Sequence, residues 1–242
     1  MKFFKYIALT VAASACMLSS CSKNDDDTPT GLYQQYEIYI NSGAQTAYAN
    51  LRLGNEDGPR TRLGKGATLL CNKMTMIYSS VDDEEGYTNV NNGYNYFVSI
   101  EPYHKKGIFE LIGTSGKVLR NEVDLSSLPN ITFSSTTEEE ESGIVKLNLD
   151  GASLKDVTAF VVNSRITDLD NGESSIIQLP IANDGTINVS ALETKRYEIL
   201  VDYVENHPTT QNDRDAKGNI KVVKRTRKFV TFKNETDNQP AE

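Results

Sequence analysis

Short runs of alternating apolar and polar residues, separated by turn sequences, make up most of the chain from residue 32 onward. The runs are rich in Val, Ile, Tyr, Phe and Thr, which is typical of β-strands. In one run, Tyr94, Tyr96, Val98 and Ile100 share a face that we expect to be buried. Pairs that accept positive φ at little cost separate the runs. They are Asp57-Gly58, Asn92-Gly93, Ser115-Gly116, Asp150-Gly151, Asn171-Gly172 and Asp184-Gly185.

The pattern predicts an all-β chain of two tandem β-sandwiches. In the first half, strands are predicted at 36–40, 47–53, 67–71, 74–79, 94–100, 108–112 and 117–124. In the second half, they are predicted at 143–149, 157–166, 174–179, 186–189, 196–204 and 220–232, and 131–133 is a further edge strand.

An acidic segment divides these two groups of strands. Residues 135–142 contain four consecutive glutamates and few apolar side chains, so we predict an acidic linker there. It separates a first domain at 32–134 from a second at 143–234, and a disordered tail follows at 235–242. A calcium clamp between the domains is the alternative, but consecutive glutamates lack the alternating spacing that converges on one ion.

One stretch of the second half resembles the E-turn-F region of fibronectin type III and related immunoglobulin-like sandwiches. It consists of residues 186–192 followed by 197–201. The resemblance implies that Leu192 fills the end of the sandwich and that the ring of Tyr197 is buried with its hydroxyl bonded to backbone. It also implies that the long connection 205–219 braces the junction with the first domain. Because unusually long loops are often functional, this connection is also a second candidate for meeting a ligand. Immunoglobulin-like sandwiches usually carry a buried Trp on strand C, and this chain contains no Trp.

The N-terminus predicts export. Lys2 and Lys5 precede an apolar run at 6–18 that is much shorter than the ~20 residues of a membrane-spanning helix. Small residues then lead directly into Cys21, whose thiol can carry lipid. Two or more acyl chains hold a protein durably on a bilayer, because each buried methylene contributes about 0.8 kcal/mol.

The sequence Leu18-Ser19-Ser20-Cys21 resembles the lipobox of bacterial lipoproteins, and the acidic residues 22–27 resemble the export tract of Bacteroidetes-type surface lipoproteins. The resemblance implies a signal peptide at 1–20, lipidation of Cys21, a disordered acidic tether at 21–31, and an outer-membrane, cell-surface location. A solvated linker is the alternative interpretation of the acidic tract.

Charge and cysteine content narrow the function classes. Without Lys2 and Lys5, the 25 basic residues fall to 23 against 33 acidic ones, a formal charge of −10, which disfavours nucleic acid as a partner. Cys16 leaves with the signal peptide and Cys21 is the anchor. Cys71 therefore has no disulfide partner, and we predict a buried apolar role for it.

The sequence predicts no catalytic set of residues, no metal site and no cofactor-binding motif. His104 and His207 are predicted to be solvated loop histidines, and Glu198 and Asp202 are predicted to share the wet face of a strand. The last strand carries basic residues, and we predict an edge strand protected from aggregation, with an acidic-partner site as the alternative. These residues are Lys221, Lys224, Arg225, Arg227 and Lys228.

Two loops supply candidate binding residues. Tyr87 lies in the acidic loop 82–87 and could stack on a sugar; Asp168, Asp170 and Asn171 lie in a turn predicted at the membrane-distal tip. The sequence thus favours a non-catalytic, membrane-anchored surface lipoprotein that binds protein or matrix. The alternatives are a glycan-binding accessory of a polysaccharide-capture system, and a subunit or anchor of a surface fibre or envelope complex.

Overall fold

The predicted alternation of buried and exposed side chains is found along several strands of the computed structural model, which describes residues 31–78, 95–162, 176–191 and 196–231. Its strands are β1 Leu32–Asn41, β2 Ala44–Leu53, β3 Thr68–Cys71, β4 Met74–Thr75, β5 Ile77–Tyr78, β6 Tyr96–Ile100, β7 Lys106–Ile112, β8 Val118–Asp124, β9 Thr132–Phe133, β10 Ile144–Asn148, β11 Val157–Val162, β12 Ile176–Leu179, β13 Thr186–Asn188, β14 Arg196–Pro208 and β15 Gly218–Thr231. The described chain is an all-β sandwich structure, as predicted.

One eight-stranded sheet runs through both halves of the chain, in the order β12-β11-β14-β15-β1-β2-β6-β5. Two smaller sheets pack on one side of it, and we call the opposite side the open face. The four-stranded sheet β4-β3-β7-β8 covers a first hydrophobic core, where the rings of Tyr36 and Phe109 stack with centroids 4.2 Å apart. Tyr96 and Ile100 are buried in this core, as their alternation predicts.

The three-stranded sheet β13-β10-β9 covers a second hydrophobic core. Val145 and Ile187 face β11 and β14 in this core, and Tyr197 at the start of β14 is buried there, as predicted. Leu192 lies outside the described residues.

The β14–β15 hairpin joins the two cores. β14 pairs with β15 from Arg196↔Thr231 to Pro208↔Asn219, and the first half of β15 pairs in parallel with β1. Ile220 and Val222 therefore lie in the first core, whereas Val230 lies in the second. The division into domains at 32–134 and 143–234 stays a prediction, and β15 contributes to both cores.

The prediction that the last strand is an edge strand is wrong. β15 lies between β14 and β1. Four of its five predicted basic residues form ion pairs with acidic residues of β1, β14 or the linker, and the fifth, Lys224, donates to the carbonyl oxygen of Pro129. Lys221 lies 3.1 Å from Glu37 of β1, and Arg225 binds Asp202 of β14. A basic strand can occupy a sheet interior when adjacent strands supply matched carboxylates.

The parallel pairing of β1 and β15 requires close backbone approach at Gly218. A Cβ atom there would lie 2.4 Å from the carbonyl oxygen of Gln34 and 2.7 Å from Thr209 Oγ1. Glycine therefore lets the two backbones meet at the first register position, Gln34↔Gly218.

The connection between β14 and β15 links the second half to the first, as the resemblance implies, and its loop docks on the first half beyond the junction. The β14–β15 pairing continues to Pro208 and carries the loop 209–217 to the far end of the first half. Asn121 of β8 is fully buried there, and its Oδ1 accepts hydrogen bonds from the backbone N–H groups of Thr210 and Gln211, both at 2.8 Å. Its amide nitrogen donates to Gln211 O at 3.0 Å and to Gln34 Oε1 at 3.2 Å. The loop thereby covers the edge strand β8.

Part of the predicted acidic linker is a short helix, α1, at Thr137–Glu141. Thr136 and Glu139 form a capping box, with Glu139 N donating to Thr136 Oγ1 at 3.2 Å and Thr136 N donating to Glu139 Oε2 at 2.8 Å. Lys146 Nζ bonds Glu139, and Lys228 Nζ bonds Glu140. These two lysines partly neutralise the negative charge of the glutamates, which is why the acidic segment can form a helix.

Cys71 is buried in the first core, as predicted. Burial raises the pKa of its thiol to about 12, although a backbone hydrogen bond involving Ile108 acts in the opposite direction. The thiol is therefore protonated near neutral pH and fills space as an apolar group.

A cleft at the junction of the two cores

The side chains that the sequence suggested for lipidation or binding all lie outside the described residues, and their roles stay predictions. They are Cys21, Tyr87, Asp168, Asp170 and Asn171.

The described residues form a cleft of about 690 Å³ between the two cores, which we call the junction cleft. One wall is the segment 126–129, which leads out of the first half. The second wall is the turn 150–156 between β10 and β11, and the remaining side is formed by Tyr203 and Glu205 of β14. Both halves of the chain therefore contribute to its lining.

A chain of hydrogen bonds runs along the inward face of β14 at this cleft. Tyr203 Oη donates to Glu205 Oε1, and His207 Nε2 lies 3.1 Å from Glu205 Oε2. Burial and the hydrogen bond to Glu205 raise the pKa of Tyr203, so the phenol stays protonated and donating near neutral pH. The Glu205 carboxylate is thus held on both oxygens.

The prediction that His207 is a solvated loop residue is wrong. His207 is half-buried within β14, opposite Ile220. The strand continues beyond its predicted end at residue 204 because β15 supplies a partner as far as Pro208. His104 is half-buried in a loop, where its backbone N–H donates to Gln45 Oε1 at 3.1 Å.

The turn on the second wall is fixed by its own backbone. Asp150 and Gly151 have φ of 50° and 81°, as the Asp-Gly pair predicts. Asp150 Oδ2 accepts a hydrogen bond from Asn130 N at 2.8 Å, which ties this turn to the first wall. Ser153 precedes a 3-10 turn at Leu154–Asp156, and its hydroxyl makes no capping bond.

The first wall is held from behind by the core-side face of β15. Lys224 Nζ donates to the carbonyl oxygen of Pro129 at 2.9 Å, and Thr226 Oγ1 donates to that of Ile131 at 3.0 Å. The segment between the two cores is therefore bonded to the strand that joins them, and we expect the shape of the cleft to persist without a ligand.

On the open face, ion pairs link the long strands. Arg225 binds Asp202 through two hydrogen bonds of 2.6 Å and lies with its guanidinium carbon 5.2 Å from the ring centroid of Tyr39. Asp202 is only 7% exposed, so this part of the predicted wet face is covered. Arg227 lies 3.9 Å from Glu198. These cations have partners within the sheet, which weakens the alternative of an acidic-partner site.

Across the described ranges, no group of three or more His, Cys, Asp or Glu side chains is arranged to hold a metal ion. Within those same ranges, no helix combines the length and the apolar character needed to cross a membrane.

Of the residues that line the junction cleft, the sequence suggested only Glu205 for binding, as the start of the long connection 205–219. The available signal was the alternation along β14, where the inward positions change from Val201 to Tyr203, Glu205 and His207. Buried positions of a strand are normally apolar. When the inward positions become polar while the strand continues, the strand has passed beyond the hydrophobic core and lines a polar site. The opposing walls come from distant segments, and nothing local in them indicates that they meet.

Comparison with known proteins does not assign the chain to a family: no protein-family model matches it, and no curated protein is significantly similar to it.

Proposed function

We propose that this protein is a non-catalytic lipoprotein of the outer membrane, anchored through acylated Cys21 and exposing its β-sandwiches at the cell surface to bind protein or matrix. The leader at 1–20 and the lipobox resemblance at Leu18–Cys21 support the anchor. The acidic tract at 22–27 supports surface exposure. No cofactor is part of this proposal.

One observation carries the binding role: the junction cleft is lined by both halves of the chain, and one continuous sheet backs both halves. Binding costs less when the site is already in its bound shape, because fewer side chains and loops must be ordered. Lys224 bonds Pro129 in the cleft wall, and Thr226 bonds Ile131 just beyond it, so we expect the site to hold its shape before binding.

The strand order of the second half supports its resemblance to immunoglobulin-like sandwiches. In those folds the first sheet contains strands A, B and E, and the second contains C, F and G. Here β9-β10-β13 face β11-β14-β15, in the same sequential pattern, and β12 is added beside β11. Domains of this class commonly serve recognition, and we assign that role here by analogy.

Replacement of the proposed anchor tests the location. In cells that produce Cys21→Ala, we expect the protein to move from the membrane fraction to the soluble fraction, because no acyl chain can be attached. Cys16→Ala, within the leader, is the matched control and should remain with the membrane. Equal membrane association of Cys21→Ala and the parent would contradict the anchor.

Photo-crosslinking on intact cells tests the binding role. A photoreactive residue at Ser153, on the rim of the junction cleft, should capture a partner that the same residue at Ser115, in the exposed turn between β7 and β8, does not. A captured fibre or envelope subunit would favour the assembly alternative. Identical capture at both positions, or substrate turnover by the purified protein, would contradict the proposal.

A further inference from the structure

We infer that the junction cleft binds a neutral, hydroxyl-rich ligand, and that its chemical class is a saccharide. The inference rests on the proposed binding role and names its ligand. It follows from the size of the cleft, from the hydrogen-bonding groups in its lining and from their charges.

The cleft has the size of a small-ligand site, and its lining is polar. Ligand sites commonly enclose about 300 to 1,000 Å³, and a volume of about 690 Å³ falls within that range. Its walls carry hydroxyl, carboxylate and ammonium groups and little apolar surface apart from Leu128 and Pro129. The free energy of binding must therefore come mainly from hydrogen bonds.

Two carboxylates in the cleft are oriented before any ligand arrives. Glu205 is held by Tyr203 and by His207, and Asp150 is held by the backbone of Asn130. An ionised carboxylate has about four acceptor positions, so each retains capacity after these bonds. Charge-assisted hydrogen bonds to such fixed acceptors are stronger than neutral ones. Neighbouring hydroxyl groups on a ring could donate to them.

Other polar groups of the lining are uncommitted. Among the described residues, the side chains of Ser127, Ser153, Lys155 and Asp156 make no hydrogen bond or ion pair within the protein. They offer hydroxyl groups that donate and accept, an ammonium that donates and a carboxylate that accepts. A ligand group that both donates and accepts matches this mixture, and an alcohol is such a group.

The charges of the cleft favour a neutral ligand over an ionic one. Asp150, Asp156 and Glu205 line the cleft together with Lys155, and Lys224 lies directly behind the first wall, bonded to Pro129. Three carboxylates thus face two ammonium groups, so an ion of either sign meets groups of its own charge. The charges are therefore mixed, and a neutral ligand that donates to the carboxylates and accepts from Lys155 satisfies both signs.

Saturation-transfer NMR and calorimetry on the lipidated protein in nanodiscs test this inference, with maltotriose, cellotriose and mannotriose as probes. We expect at least one trisaccharide to bind, and we expect Asp156→Asn and Glu205→Gln each to weaken that binding by about tenfold or more, since each changes a charged hydrogen-bond acceptor. Glu122→Gln, at an exposed position of β8 away from the cleft, is the matched control and should leave the affinity unchanged.

Asp156 makes no side-chain bond within the described protein, so Asp156→Asn should fold normally even if Glu205→Gln does not. Failure of all three trisaccharides to bind would overturn the inference. So would equal affinities in the parent and Asp156→Asn, or binding of arginine amide in place of the sugars. A protein partner captured at Ser153 without sugar binding would overturn this inference and leave the proposed function standing.

Discussion

Residues 32–134, produced alone, are expected not to fold. Without β15, strand β1 loses its parallel partner along Gln34–Asn41, and the first core loses Ile220 and Val222. Full burial of such a side chain contributes roughly 1.5 to 3 kcal/mol, and the whole stability of a domain is about 5 to 15 kcal/mol. The docked loop 209–217 is lost as well. We expect narrow amide dispersion in the NMR spectrum and no cooperative thermal transition.

The matched control is the fragment 32–231, which keeps the same N-terminus and restores β14 and β15. It should give a dispersed spectrum and unfold cooperatively. A dispersed spectrum and a cooperative transition for 32–134 would instead show that the first half is an independent domain, in agreement with the boundary that the sequence predicts.

Asn121→Leu is expected to lower the free energy of unfolding by about 3 to 5 kcal/mol. The substitution leaves the backbone N–H groups of Thr210 and Gln211 without an acceptor, and Gln211 O keeps only the donor Gln34 Nε2, at 3.3 Å. A fully buried polar group that loses its partner costs roughly 1 to 3 kcal/mol, and these hydrogen bonds are partly buried, so each contributes near the lower end of that range. Urea denaturation followed by circular dichroism measures the change.

Glu122→Gln on the same strand is the control for Asn121→Leu. Glu122 is exposed and pairs with Lys106 and Arg120 at the surface, where ion pairs contribute little to stability. Its urea midpoint should therefore remain close to that of the parent. If Asn121→Leu had the same midpoint as this control, the docking of loop 209–217 would not contribute to stability.

The strands of this protein could be predicted because side-chain alternation is a local property. In β8 and β11 every second residue is buried. β8 was predicted close to its observed bounds, and β11 begins at its predicted residue, Val157, whereas its predicted end at residue 166 lies outside the described residues. The start of β1 was missed for an equally local reason. Gln34 is polar but buried, because it bonds Asn121 and Tyr36, and no pattern in the neighbouring residues reveals those partners.

The pairing of the strands could not be predicted in the same way. Gln34 and Gly218 are neighbours in the sheet although nearly the whole described chain separates them. The basic residues of β15 suggested an edge, because their carboxylate partners, such as Glu37 and Asp202, lie on other strands. Charged side chains are mostly exposed unless they are paired, so a sequence predicts exposure for a charged residue whose partner is distant in the chain.

The junction cleft depends on that same long-range pairing. Its walls are brought together only when β15 lies in the sheet and bonds the segment before β9 through Lys224 and Thr226. The turn sequence Asp150-Gly151 predicts the local shape of one wall. The segments that lie opposite this wall are determined by the tertiary fold.

The place of β1 in the sheet has a mechanical consequence for the anchored protein that we propose. The tether joins the fold at Leu32, and β1 lies between β2 and β15, hydrogen-bonded along both sides. A drag force on the ectodomain would pull along β1 and load those two rows of bonds together in shear, instead of peeling them one by one from an edge. We expect such a strand to resist extraction by fluid flow.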